Sequence, residues 1–283
     1  MNIGDIKTVG VAGAGTMGQG IAQVCALAGF DVLLYDVQSD AGKRGIAFIG
    51  TALQKSVEKN RITTDVRSLT LSRIKQCDAL DQFKGDLIIE AVVERLDIKR
   101  ELFQVIRKHN PESILTTNTS SIPVTQIASG ISSADRIAGL HFFNPAAVMK
   151  LVEVIKGVET SNETIDLLKS FSEKLGKTSV VAKDSPGFIV NRVARHYYVE
   201  ALKMLEENSA DVQTIDKLLK ASGFKMGSFE LMDLIGMDVN FSVTRSLFDA
   251  FYQEAKFRPS RIQQQKVDAG HLGVKSGKGF YNY

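Results

Sequence analysis

Residues 8–28, TVGVAGAGTMGQGIAQVCALA, join a short apolar run to an apolar helical pattern through a glycine-rich turn. No other stretch restricts the fold as tightly. The turn reads Gly13, Ala14, Gly15, Thr16, Met17, Gly18, a GxGxxG set placed between a strand pattern and a helix pattern. In that context Gly13 allows the tight turn, Gly15 lets the backbone approach a pyrophosphate, and Gly18 lets helix and strand pack closely. The phosphates then sit at the positive end of the helix. A second apolar run, DVLLYD, ends in Asp36. An acid roughly 20 residues beyond the glycines hydrogen-bonds the adenosine ribose and repels a 2′-phosphate. The six turn residues and Asp36 therefore read as a site for NAD in preference to NADP.

Short apolar runs alternate with amphipathic segments up to about residue 183, the pattern of parallel strands crossed by helices. Strands are expected at 8–12, 31–35, 87–91, 114–117, 136–140, 151–155 and 178–182, and helices at 17–28, 41–59, 98–108 and 164–175. Beyond Asp184, Ser185, Pro186 and Gly187 the period changes to 3.6, in segments reaching 206 and covering 212–221, 231–251 and 259–268. The expected fold class is an α/β Rossmann-like dinucleotide-binding domain, residues 1–185, followed by an all-α C-terminal domain, residues 186–283. With only five prolines and no Gly/Ser tract, no flexible linker separates the two.

Composition removes several classes. At 283 residues, 44% hydrophobic and 24% charged, the chain is of ordinary globular make-up and long enough to build a core without disulfides or metal. Its longest apolar stretches fall short of the roughly 18 to 20 residues a membrane helix needs. The opening MNIGDIKTVG lacks a basic start followed by a long apolar run, so no secretory leader is expected and the cytoplasm is the expected compartment. Cys25 and Cys77 form no CxxC pair and read as plain buried thiols, and the four scattered histidines make no metal motif, so no metal is expected. Lys and Arg are interleaved with acids along most of the chain, and the net charge is only +3, which argues against nucleic acid as a partner. One local basic excess runs from 43 to 67, where Lys43, Arg44, Lys55, Lys59, Arg61 and Arg67 face only Glu58 and Asp65. Taken alone it reads as a solvated helix face. GVKSGKGF near residue 278 has the wrong spacing for a triphosphate loop, and Ser120–Ser121 lack the GxSxG frame of a nucleophile elbow.

A constellation remains in the middle of the chain: Asn118, Thr119, Ser120 and Ser121 just past one strand, His141 ending another, Asn144 and Pro145 in a loop, and Glu153 within the next strand. Ligands of open parallel sheets bind outside the carboxyl ends of strands, which directs Ser120 and His141 toward the cofactor crevice. Oxidising an alcohol needs a base for the hydroxyl proton while the hydride leaves, and histidine titrates in the right range. Glu153 can accept a hydrogen bond from the other ring nitrogen and so hold the tautomer. Singly, His141 reads better as a satisfied structural histidine, and Glu153 reads equally as a salt-bridge partner.

Taken together, GAGTMGQGIAQ, EAVVERLDIKRELF, NTSS, HFFNPAAVMKLVEVI, PGFIVNRV and KSGKGFYNY resemble, in order and over essentially the whole chain, the L-3-hydroxyacyl-CoA dehydrogenase family in its stand-alone, short-chain (3-hydroxybutyryl-CoA) form. The resemblance implies NAD-dependent interconversion of L-3-hydroxyacyl-CoA and 3-ketoacyl-CoA. It implies an acyl-CoA thioester bound between the two domains, a homodimer formed through the helical domain, and no fused hydratase-like region. Carried over by position, His141 is the catalytic base and Glu153 its orienting partner. Ser120 bonds the substrate's 3-oxygen, and Asn191 binds the substrate carbonyl region. Glu94, Lys99, Ser120, Asn144 and Lys275 match cofactor contacts. On spacing alone Asn191 is a polar residue near a helix start, and Lys99 and Lys275 are surface charges. Lys55 and Lys59 match positions that bind CoA phosphates, which gives the basic excess a use.

The sequence departs from the family pattern twice. Ala147 stands where HFFNPxPxM has its second proline, and Ser228 stands where GPFEL has proline, which bears on acyl-chain preference. Two alternatives remain at this stage: a dehydrogenase of free hydroxy acids, a type that tends to use a lysine base, and a non-catalytic dinucleotide-binding or structural protein of the same fold.

Overall fold

A computed structural model describes all 283 residues, which divide into two compact units, Met1–Ser185 and Pro186–Tyr283. The first unit carries, in chain order, β1 (Thr8–Ala12), α1 (Thr16–Leu27), β2 (Asp31–Tyr35), α2 (Ser39–Glu58), α3 (Thr64–Ser72), β3 (Ile74–Cys77), β4 (Leu87–Glu90) and α4 (Leu96–His109). It continues with β5 (Ile114–Thr117), α5 (Val124–Ala128), β6 (Ile137–Phe142), β7 (Leu151–Lys156), α6 (Asn162–Lys174) and β8 (Thr178–Lys183). The strands form one sheet in the order β3-β2-β1-β4-β5-β6-β7-β8, with β1 through β6 parallel.

The sheet is covered on both faces, so its central strands are apolar throughout: β4, β5 and β6 are buried at every position. Leu87 and Ile89 of β4 face a layer containing Ile21 and Val24 of α1, Ile49 and Leu53 of α2, and Leu168 and Phe171 of α6. Ile88, between them, faces Phe103 and Ile106 of α4 and Ile127 of α5. The same alternation sets the direction of two later residues. Leu140, Phe142, Val152 and Val154 all join the first layer, so His141 and Glu153 project from the other face.

Two expectations are corrected here. The sheet is not wholly parallel, because β7 runs antiparallel to β6 and β8 follows β7. β3, α3 and α5 add to the expected elements. β3 is a four-residue edge strand, IKQC, whose Lys75 is exposed, and α3 is rich in Ser and Thr but is capped by the Thr63 hydroxyl, which accepts from Val66 N at 3.2 Å.

The second unit consists of α7 (Val190–Glu206), α8 (Val212–Ala221), α9 (Ser228–Ile235), α10 (Met237–Ala250) and α11 (Arg261–Asp268). The helix expected over 231–251 is two helices, broken at Gly236, whose φ is +103°. Tyr198, Leu202, Ile215, Phe229, Met232 and Met237 form the core, with Phe280 and Tyr281 packed against it. Two aspartates fasten the segment 280–283. Asp233 accepts from Phe280 N and Tyr281 N at 3.0 and 2.9 Å, and Asp216 accepts from the Tyr281 hydroxyl at 2.9 Å. The SGKGF sequence thus serves the packing of this unit. Ser228 fills the first position of α9, where proline is well suited, and its hydroxyl donates to Tyr197 O at 2.9 Å.

Candidate active site

At the carboxyl ends of β1, β2 and β4 lies a cleft of about 950 Å³. It is lined by Gly13 to Met17, by Tyr35 to Gln38, by Ala91 to Val93 and by one side of α4. The crevice opens where the strand order reverses, between β1 and β4. A Cβ on Gly18 would lie 1.7 Å from Gly13 O, and Gly13 itself has φ +105° with Ala91 O 2.5 Å from where its Cβ would be. Those two glycines build the turn. Gly15 differs, because nothing lies within 4 Å of its Cβ position, and no side chain caps α1 there. The first amides of α1 face open space, the arrangement that receives a pyrophosphate. Asp36, just past β2, lines the cleft, its Oδ2 accepting from Ala14 N at 2.7 Å and its Oδ1 from Gln38 N at 2.9 Å. The donor set and the open cradle fit a dinucleotide.

A second group is centred on Lys99, which is 1% exposed. The surface-charge reading of this lysine is therefore overturned. Its Nζ lies 2.6 Å from Glu90 Oε1 and 3.1 Å from Glu94 Oε2. Glu90, 0% exposed, also accepts from Thr117 Oγ1 at 2.7 Å and from Val92 N at 2.7 Å. Glu94 Oε1 in turn gathers the loop after β5, accepting from Thr119 Oγ1 at 2.6 Å, Ser120 N at 2.9 Å and Ser121 N at 3.1 Å. Burial pushes the Glu94 carboxyl up, but Lys99 and these hydrogen bonds outweigh it and hold the group below the usual carboxylate range. Ser120 and Glu94 are thus brought together, with Lys99 behind them. Glu90 and Thr117 escaped the sequence reading. The signal available was an apolar strand, LIIE, ending in an acid too deep to be solvated.

The third group is a dyad. His141 and Glu153 are direct partners in the antiparallel β6–β7 register, and His141 Nδ1 lies 2.8 Å from Glu153 Oε2. Both are buried, at 5% and 1% exposure. Phe143 packs on the imidazole with ring centroids 4.6 Å apart. Asn118 joins the dyad to the preceding group: it follows β5, and its Oδ1 accepts from Phe142 N at 2.8 Å. Asn144 is exposed in the loop after β6.

Other expected residues lie elsewhere. Lys55 and Lys59 are exposed at the end of α2 and make no ion pair. Asn191 is half-buried in the first turn of α7, in the second unit. Lys275, also in the second unit, is ion-paired with Asp238 at 2.5 Å, so its charge is already met there. Cys25 and Cys77 are buried free thiols, and no cluster of three or more His, Cys, Asp or Glu side chains is arranged to hold a metal. No helix is long and apolar enough to cross a membrane.

A glycine cradle at the switch point of the parallel strands marks the first unit as a dinucleotide-binding α/β domain, with a buried His–Glu dyad at a strand end of the same sheet. Residues 8–185 match the model of the 3-hydroxyacyl-CoA dehydrogenase NAD-binding domain, and residues 187–283 match the model of the 3-hydroxyacyl-CoA dehydrogenase C-terminal domain. The chain belongs to the 3-hydroxyacyl-CoA dehydrogenase family, and its first unit is the family's NAD-binding domain. It is 49% identical over 99% of its length to the 3-hydroxyadipyl-CoA dehydrogenase of Escherichia coli (strain K12), and it spans only 59% of that relative. The 3-hydroxybutyryl-CoA dehydrogenase of Bradyrhizobium diazoefficiens is 41% identical, with 98% of this chain and 96% of the relative covered. Among solved structures, (S)-3-hydroxybutyryl-CoA dehydrogenase PaaH1 from Ralstonia eutropha is similar with a TM-score of 0.94 and 39% identity, covering 99% of both chains.

Proposed function

We propose that this chain interconverts short-chain L-3-hydroxyacyl-CoA and 3-ketoacyl-CoA, with His141 as general base and acid. NAD, when bound, takes or gives the hydride at the substrate's third carbon. The chain's own residues handle the proton. Glu153 engages Nδ1, so the proton exchanged with the 3-hydroxyl is carried by Nε2, and the imidazolium formed on oxidation is stabilised by the adjoining carboxylate. Ser120, held by Glu94, is assigned to the 3-oxygen, and Asn191 to the carbonyl region. The dinucleotide is assigned to the turn 13–18, Asp36, Glu94 and Asn144. Lys99 then acts through Glu90 and Glu94, and Lys275 contacts the cofactor only by sharing its charge with Asp238. Lys55 and Lys59 are assigned to the CoA phosphates.

The observation that supports this reading most is the 2.8 Å His141–Glu153 contact, linked through Asn118 to the loop that carries Ser120. A binding-only protein has no physical need of such a buried dyad. Absorbance of NADH is the test, followed with acetoacetyl-CoA, with free acetoacetate and with neither. Oxidation only with the thioester supports the reading; absence of turnover with any acyl-CoA overturns it. The name of the E. coli relative motivates a second reading, an acyl chain ending in a carboxylate. A higher kcat/KM for 3-oxoadipyl-CoA than for acetoacetyl-CoA would favour it.

We also propose a cytoplasmic homodimer formed through the second unit. Leu234, Ile235 and Val239, on α9 and α10, are 57%, 42% and 47% exposed, apolar side chains that a second copy of the unit would cover. Sedimentation at micromolar concentration tests it: a monomer rejects the proposal.

A further inference from the structure

Helix α2 carries an exposed ring that neither the NAD cleft nor the dyad uses. Its buried positions are Gly42, Gly45, Ile49 and Leu53. At 3.6 residues per turn, Arg44, Phe48, Lys55 and Lys59 fall within roughly 60° of one another on a different flank. Arg44 lines the NAD cleft. One turn on, Phe48 is 61% exposed, and no ring or cation stacks on it. Between it and the lysines, Ala52 is small and leaves the flank shallow. Lys55 and Lys59 form no ion pair, so the stripe has uncompensated positive charge beside an unused aromatic face. A rise of 1.5 Å per residue puts Lys55 about 10 Å and Lys59 about 16 Å along the axis from Phe48, before counting the reach of either side chain.

We propose that Phe48 is the stacking platform for the adenine ring of coenzyme A, in line with Lys55 and Lys59 on its phosphates. The inference rests on the acyl-CoA reading above. A base offers a flat face to an aromatic side chain whatever its hydrogen-bonding edge, and the phosphates of the same nucleotide supply the anions the lysines lack. A free hydroxy acid has neither group and would leave the stripe without a ligand.

Phe48→Ala and Phe48→Trp in the full chain test this with two thioesters, acetoacetyl-CoA and acetoacetyl-pantetheine, which lacks the nucleotide. Phe48→Ala should raise KM for acetoacetyl-CoA about tenfold with kcat unchanged, and Phe48→Trp should restore it. KM for the pantetheine thioester and the Kd for NADH should not move. Calorimetry with 3′,5′-ADP, which needs no turnover, should show the same weakening. An unchanged KM and unchanged 3′,5′-ADP affinity would overturn the inference, as would equal changes for both thioesters. Failure of the wild-type chain to turn over acetoacetyl-CoA would instead overturn the acyl-CoA reading, and the 3′,5′-ADP titration would still decide the role of Phe48.

Discussion

Glu153 faces His141 directly across an antiparallel strand pair, with 2.8 Å between Oε2 and Nδ1 and almost no solvent on either side chain. Two strands, not a loop, fix the separation. The carboxylate therefore both orients the ring and sets a negative charge beside it, and an amide of the same shape can do only the first. Glu153→Gln should lower kcat about 100-fold or more while KM and the Kd for NADH change little. A kcat within a factor of three of wild type would make Glu153 a packing residue.

Lys99 is the second buried charge with a defined partner set. Removing it leaves Glu90 without its cation at a site with no exposure, and removing one member of a buried pair typically costs about 3 to 5 kcal/mol. Lys99→Met should show a loss of this order in urea denaturation, and the Lys99→Met/Glu90→Gln pair should recover a large part of it. Because Glu94 also loses Lys99, the loop holding Ser120 should loosen, and KM for the thioester should rise in the single variant. Equal stability of single and double variants would mean that the pair is not coupled.

The parts of this site that were legible in the sequence are local or periodic. The glycine turn is read from six consecutive residues, and His141 and Glu153 each stand out as a polar residue between apolar neighbours on a strand pattern, though only the strand register brings them together. The direction of β7 was not legible from apolar runs, which carry no polarity. A length argument was nevertheless present: residues 143–150 are too few for a parallel crossover, which needs a dozen or more. Lys99 failed for another reason. A lysine among Asp97, Arg100 and Glu101 looks solvated, and only the depth of Glu90 in the sheet makes it a core residue. Gly236 was hidden because the apolar period continues across the break in the chain's direction.

The two glycines at the start of α1 should separate fold from ligand. Gly18→Ala would place a Cβ 1.7 Å from Gly13 O, a backbone atom that cannot move aside, and should cost about 3 kcal/mol or more together with NADH binding. Gly15→Ala meets no atom within 4 Å and has an ordinary φ of −71°, so its stability should stay within about 1 kcal/mol of wild type. Its NADH affinity should still fall about tenfold, since the methyl group occupies the space assigned to the pyrophosphate. Thermal melts and fluorescence titration measure the two effects. Unchanged affinity in Gly15→Ala would remove the pyrophosphate from this turn.

The closing segment of the second unit should respond to alkaline pH. Tyr281 and Tyr283 donate to Asp216 and Asp233, at 2.9 and 3.2 Å. Burial first, then the facing carboxylates, push both phenols up, Tyr283 to about 12. In the unfolded chain a phenol ionises near 10. The folded state keeps protons that the unfolded state releases, so the stability these groups contribute is whole below pH 10 and is lost as pH rises toward 12. The urea midpoint should therefore fall between pH 10 and 12. Tyr281→Phe/Tyr283→Phe should start lower at pH 9, having lost both hydrogen bonds, and fall less steeply above it. Parallel decline of variant and wild type would place the alkaline sensitivity in other groups.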